Sequence, residues 1–274
     1  LAAALGRSLA LRDAPLAEGC AIALWEVLQV LGPLSTAWGL LKKVVETLGD
    51  RSSARLLAAA GQAATLYAGL EEAEPILLRA IERGRDTGDG VSRANAEGCL
   101  GYLHRDAGNP EEAQRYLEAS LLGHKMEGNR WGVGMALYRL GLLKYHQSQL
   151  VEARGLTEGA VRAFQEVGDR RQEGTALHSA ALMYSELGLH EEAVRKGEQA
   201  LAIHREQHNR HSEAVALGNQ GIILRRLGRL GEAEHYYQAA LQANRAVGNR
   251  RLEGAILGNL GTLLVALEDY EAAE

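Results

Sequence analysis

One alanine returns every 40 residues along this chain, at Ala73, Ala113, Ala153, Ala193, Ala233 and Ala273. Twelve positions before each stands another small residue: Gly61, Gly101, Gly141, Ala181, Gly221 and Gly261. Seven positions after come Ala80, Ser120, Ala160, Ala200 and Ala240, each followed by an aliphatic residue (Ile81, Leu121, Val161, Leu201, Leu241). A period of this length marks one supersecondary unit that cannot bury its apolar face alone and completes its core by stacking on its copies.

A further column locates the joints: Asp50, Asp89, Asn129, Asp169, Asn209 and Asn249, preceded by glycine in five of six cases and by His208 in the sixth. Glycine followed by Asp or Asn reads as a helix C-terminus and then an N-cap, whose side-chain oxygen accepts from the free amides of the next first turn. Each unit therefore reads as two helices. In the clearest copy the first runs from Arg171 to Leu187 and, after the turn at 188–190, the second runs from Glu191 to Gln207. Apolar spacing near 3.6, as in Leu177, Ala181 and Tyr184, supports this. Composition agrees. Four prolines, 5% aromatic residues and 46% hydrophobic residues give a helical core of small and aliphatic side chains. Apolar residues recur throughout, which argues against disorder, and no run approaches the roughly 18 apolar residues of a membrane span.

Leu100–Gly101, Leu140–Gly141 and Leu260–Gly261, the alanine columns, and the segment GNRRLEGAILGNLGTLLVALEDYEAAE (248–274) together resemble tetratricopeptide repeats. The usual unit has 34 residues. The 40-residue unit is similar to the long-helix variant of spindle-orientation scaffolds and of sensor regions in bacterial transcription activators and signalling ATPases. The resemblance implies an all-α, right-handed superhelical solenoid of antiparallel helix pairs, with about six to seven repeats. The expected organisation is a single array over 1–274: 1–15 as the end of a preceding repeat, 16–50 as a degenerate repeat, full repeats at 51–90, 91–130, 131–170, 171–210 and 211–250, and a truncated repeat at 251–274. Trp25 falls where the small column expects Gly or Ala, so the degenerate repeat is expected to pack differently. Pro75 predicts a kink or a late helix start. The last second helix is expected to begin just before Glu274. The missing initial Met and missing capping helix suggest a piece of a longer chain.

Chemistry within the residues is sparse. Phosphate loops, dinucleotide-binding turns and nucleophile elbows are absent, and HEEAV (190–194) lacks the second His of a zinc-protease motif. His204 and His208 stand four apart but have no third ligand, so they read as exposed histidines near a helix end, and neither metal nor cofactor is expected. Cys20 and Cys99 read as buried thiols of a reducing, cytoplasmic protein, and no signal peptide is evident. The net charge of −5 does not suit a nucleic-acid binder. Arg51, Arg130, Arg170, Arg210 and Arg250 form a second column after the joints, read as partners of acids such as Glu173, Glu213 and Glu253.

What remains is surface, and no catalysis is expected. The family resemblance implies that first helices line a concave groove for a partner peptide or helix. Carried across, the groove positions are Arg55, Gln62, Asn95, Tyr102, Arg105, Tyr138, Tyr145, His146, His178, Glu186, Arg225 and Arg226, with Asn219 and Asn259 recurring beside the glycine column. Tyr and Arg dominate binding hot spots, and the set suits a peptide with acidic and apolar residues. The leading expectation is a protein-interaction scaffold. The alternative is a ligand- or protein-sensing module of a larger bacterial regulator, with which 25 Arg against 5 Lys is consistent. Uncapped array ends invite end-to-end self-association.

Overall fold

The computed structural model describes residues 2–10, 13–246 and 248–271. Among them every regular element is helical, and no strand occurs. The chain divides into two compact units, Leu1–Arg139 and Leu140–Glu274.

The first unit opens with α1 (Ala2–Ala10), α2 (Ala14–Leu31) and α3 (Leu34–Leu48), followed by a single 3-10 turn (Gly49–Arg51). It continues with α4 (Ala54–Tyr67), α5 (Leu70–Thr87), α6 (Gly90–Asp106) and α7 (Pro110–Met126). Helix α8 (Arg130–His146) begins in it. Each of these helices up to α7 packs on the next, and the alternate helices α2, α4 and α6 also touch in succession. The core joins Leu41, Val44, Leu56, Leu57, Leu77 and Leu100 with the buried indoles of Trp25 and Trp38.

The second unit holds α9 (Leu150–Val167), α10 (Arg170–Glu186), α11 (His190–Glu206), α12 (Arg210–Arg226), α13 (Leu230–Ala246) and α14 (Arg250–Glu271). Again neighbours pack in order, while α10, α12 and α14 touch in succession. Its core is built on Ala193, Leu201, Leu217, Ile223, Leu224 and Tyr237. In both units this is the layering of an α-solenoid, with helix pairs stacked side by side and first helices forming one layer.

The joints obey local chemistry. Asp89, Asn129 and Asp169 accept from the amides of Ser92, Gly132 and Gln172 at 3.0 Å each. Asn209 and Asn249 accept from Ser212 and Leu252 at 3.2 Å. The preceding residue takes the left-handed conformation, at φ +72° for Gly88, +71° for Gly168 and +52° for His208. Asp50 departs from this pattern: it lies inside the 3-10 turn, and Ser53 caps α4 by accepting from Leu56 N at 3.1 Å. Ser53, three residues further on, is the better-placed cap, so the chain turns once more before the helix starts.

Two further expectations are corrected. Helix α5 is not delayed by Pro75; it starts at Leu70 and carries the proline inside its second turn, exposed. The turn expected before a final second helix does not form, because α14 continues to Glu271. At that turn Gly108, Gly188 and Gly228 adopt positive φ, whereas the corresponding residue here is Glu268, a competent helix former. Ala273 lies outside the described residues.

The small columns explain the tight pairing of helices. A Cβ on Gly101 would stand 2.5 Å from Leu117 Cγ and 3.0 Å from the Ala113 carbonyl oxygen. On Gly221 it would stand 2.6 Å from the ring of Tyr237. Leu77, Leu117, Thr157 and Tyr237, each sixteen residues after its small partner, are fully buried. Where that partner is Ala181, the sixteenth residue is Gly197, so bulk moves from one helix to the other.

Among the joint arginines, Arg170 and Arg210 pair with acids, whereas Glu253 bonds Arg245 at 2.7 Å rather than Arg250. Arg170 bonds Glu173 at 2.7 Å and Glu206 at 2.8 Å, and Arg210 bonds Glu213 at 3.2 Å. Arg205 of the preceding helix also bonds Glu213, at 2.9 Å. Solvent screens pairs of this kind, so they tie the joints together without adding much stability.

Candidate binding face

The first helices supply the residues that the groove positions single out. In the first unit, Arg55 and Gln62 on α4 and Asn95 on α6 line one recess of about 440 Å³, together with Trp25 on α2 and Trp131 on α8. Arg55 pairs with Glu26 across the rim at 3.1 Å, both side chains being more than half exposed. Tyr102 and Arg105 meet on α6, the guanidinium 4.5 Å from the ring centre. Arg105 is nearly buried and bonds Asp106 at 2.5 Å. Tyr138 is half-buried on α8.

In the second unit the positions fall into two groups. Tyr145 on α8 lies near the charges of Glu186 on α10 and Arg226 on α12, which pair at 2.8 Å. Burial raises the Tyr145 hydroxyl pKa, and Glu186 raises it further, against Arg226. His146 is exposed and meets Tyr145 edge-on at 6.0 Å. Separately, the Asn219 amide donates to His178 Nε2 at 2.8 Å. Burial lowers the His178 pKa to about 4, with His204 adding to the effect, so the ring is neutral and free to accept. Arg225 is half-buried beside Tyr237. Asn259, on α14, joins neither group among the described residues.

Of the two histidines read as exposed, His208 is exposed and His204 is not. His204 is 2% exposed rather than solvated. The missing side chain of Gly174 makes room for its ring, and Glu213 from the next repeat faces it. Among the described residues no three His, Cys, Asp or Glu side chains gather as a metal site. Cys20 and Cys99 are free and buried. No described helix is long and apolar enough to cross a membrane.

The recess has a cause that the groove residues do not reveal. In later first helices its floor positions carry Tyr138–Arg139 and His178–Ser179, but α4 has Ala58–Ala59 and α6 has Gly98–Cys99. The large side chains that α8 and α10 carry at these positions are missing here, position 218 on α12 being likewise glycine, and the two indoles line the same recess. A smaller pocket of about 60 Å³ shares Gln62, Asn95 and Trp131 and reaches Cys99, His124 and Arg139. Arg139 crosses over Gly98, with Nη1 2.8 Å from where a Cβ would sit, and its guanidinium lies 5.9 Å from the Tyr102 ring centre.

Helix pairs at a fixed period, with the first helices exposed as one layer, define an α-helical repeat protein. The family model of the tetratricopeptide repeat matches residues 132–206 and 212–274, half of the chain. The chain belongs to the tetratricopeptide repeat family. No curated protein sequence matches it. Among solved structures it is similar to BtubC from P. vanneervenii, with a TM-score of 0.64 and 16% identity over 89% of this chain and 92% of that one. It is similar to a signal transduction ATPase with numerous domains, with a tetratricopeptide repeat sensor, from Pyrococcus horikoshii. There the TM-score is 0.65 at 15% identity, over 90% of this chain but only 40% of that protein. A Rap protein complexed with competence and sporulation factor gives a TM-score of 0.61 at 13% identity, over 97% of this chain and 74% of that one. At these identities the likeness concerns the fold.

Proposed function

We propose that this protein is a non-catalytic, cytoplasmic interaction module that captures a peptide or helix of a partner protein on its first-helix face. One observation carries the reading: Arg55, Gln62 and Asn95, drawn from successive first helices, line a single solvent-open recess with two indoles. Polar groups that fix orientation around an apolar floor are the usual make-up of a recognition site. The Tyr145 ring and the Glu186–Arg226 ion pair offer similar chemistry in the second unit. Affinity capture from lysate, with the unaltered chain and Gln62→Ala/Asn95→Ala side by side, tests it. A specific protein retained by the first and lost by the second is expected. Equal retention removes the first-helix face from the account.

A sensor of a small ligand within a larger bacterial signalling protein is the second reading. The recess volume of about 440 Å³ favours it, lying inside the roughly 300–1,000 Å³ range of small-ligand sites. A signalling ATPase with a tetratricopeptide repeat sensor and a Rap protein complexed with competence and sporulation factor share the fold, which supports a sensing role. Self-association through array ends belongs with these readings and is checked by the concentration dependence of the sedimentation coefficient.

A further inference from the structure

The recess in the first unit has a specific chemistry. Ala58 and Ala59 line it beside the indoles of Trp25 and Trp131. Trp25 is 4% exposed and forms a wall rather than a lid, while Trp131 is 37% exposed. Flat apolar walls over a floor without side-chain bulk fit a flat apolar body. Glu26, Gln29, Arg55 and Ser92 line the recess as well as Gln62 and Asn95. The carboxamides of Gln62 and Asn95 line both the recess and its 60 Å³ extension, and Arg139 closes the extension.

The charges here are not balanced. At the rim Glu26 neutralises Arg55. Arg139 differs: its described neighbours are the Tyr102 ring and His124, and no carboxylate among the described residues pairs with it. His124 supplies no counter-charge, because burial, with Arg139 beside it, lowers its pKa to about 4 and keeps it neutral at ordinary pH. A guanidinium with free donors in a partly enclosed, uncompensated position calls for an anion, and a carboxylate matches its planar fork.

We propose that this recess binds an aromatic carboxylate, its ring between Trp25 and Trp131 over Ala58 and Ala59, its carboxylate accepting from Gln62, Asn95 and Arg139. The inference rests on the first-helix face of this unit being the binding face. It adds what that face selects. Two sources carry the same chemistry: a free aromatic acid, or the C-terminus of a peptide ending in an aromatic residue.

Two matched pairs of probes test it by calorimetry. One pair is 2-naphthoate and 2-naphthamide. The other is a tripeptide Ala-Ala-Trp with a free and with an amidated C-terminus. Binding of an acid at least about tenfold tighter than its amide is expected, the factor that follows from about 1.4 kcal/mol, near the lower end for a charge-assisted hydrogen bond. Discrimination in the first pair assigns the site to a small acid, and discrimination in the second alone assigns it to a partner's C-terminus; either supports the proposal. Arg139→Gln is expected to erase the difference between acid and amide while leaving weak binding of the ring. Ala59→Leu is expected to block the acid and the amide alike, with circular dichroism confirming an intact fold. Equal affinity for acid and amide in both pairs overturns the proposal, as does the absence of binding by all four probes. If no probe binds while a captured partner is still lost with Gln62→Ala/Asn95→Ala, the interaction face survives and only the aromatic-acid inference fails.

Discussion

Gln220 on α12 reaches into the space that a side chain at Gly197 on α11 would occupy, and its amide donates to the Val194 carbonyl at 2.9 Å. The carboxamide is buried at 1% exposure and bridges two successive repeats. The empty glycine position is thus filled by the next repeat rather than by its own.

That relationship makes Gly197→Ala a sensitive substitution. Its Cβ would collide with the Gln220 carboxamide, and overpacking of this kind costs about 1–3 kcal/mol. Gln220→Ala removes the obstacle. The double variant is expected to lose less stability than the sum of the two single changes, as contacting residues couple. Urea unfolding of all four proteins measures this, and strict additivity would contradict the contact.

Gly101 and Gly261 share one column but not one environment. A Cβ at 101 meets Leu117 and the Ala113 carbonyl, whereas nothing lies within 4 Å of a Cβ at 261. Gly101→Ala is expected to lower the unfolding midpoint. Gly261→Ala is expected to leave it unchanged or raise stability by up to about 1 kcal/mol, the helix-propensity gain of alanine over glycine. Thermal unfolding in parallel decides, and equal losses would show that the column is not set by the facing helix.

His208 occupies a joint at φ +52° where the other joints use glycine. A side chain in the left-handed region costs roughly 1–2 kcal/mol. His208→Gly removes that cost and is expected to stabilise by about 1 kcal/mol, the looser unfolded chain offsetting part of it. Equilibrium urea denaturation measures the change, and a destabilisation would mean that the imidazole makes a compensating contact.

His124 and His178 both have pKa values lowered to about 4, chiefly by burial. The fold therefore favours their neutral forms, while the unfolded chain titrates near 6.5. Between these values the unfolded state binds more protons, so stability is full above pH ~6.5 and falls as pH drops toward ~4. The melting temperature is expected to decline across this window, and His178→Gln, which retains an amide partner for Asn219, is expected to flatten the decline. A pH-independent melting temperature would contradict the burial of both rings.

Features set by neighbours in sequence were legible in advance. Asp89, Asp169 and Asn209 cap their helices because an Asx oxygen needs only the amide three residues on. The 40-residue columns worked because Gly101 meets Leu117 within one helix pair. Asp50 failed where Ser53 competed for the same local role, and the late start expected from Pro75 failed because the chain is already helical from Leu70. His204 was misread because its burial depends on Gly174 and Glu213, one on the facing helix and one in the following repeat. The recess was hidden for a similar reason. Column comparison exposes Ala58–Ala59 beside Tyr138–Arg139, but that Trp25 and Trp131 flank the gap requires the packing of α2, α4, α6 and α8.

The floor of that recess has no rotamers. Ala58 and Ala59 cannot change shape except with the backbone, so that part of the cleft keeps its outline whether occupied or empty. Ordering entropy on binding falls instead on the side chains around them, among them Arg55, Gln62, Asn95 and the exposed indole of Trp131, at about 0.5–1.5 kcal/mol for each flexible side chain immobilised. A ligand therefore meets a base already set, and its selectivity is decided by the polar and aromatic side chains that surround it.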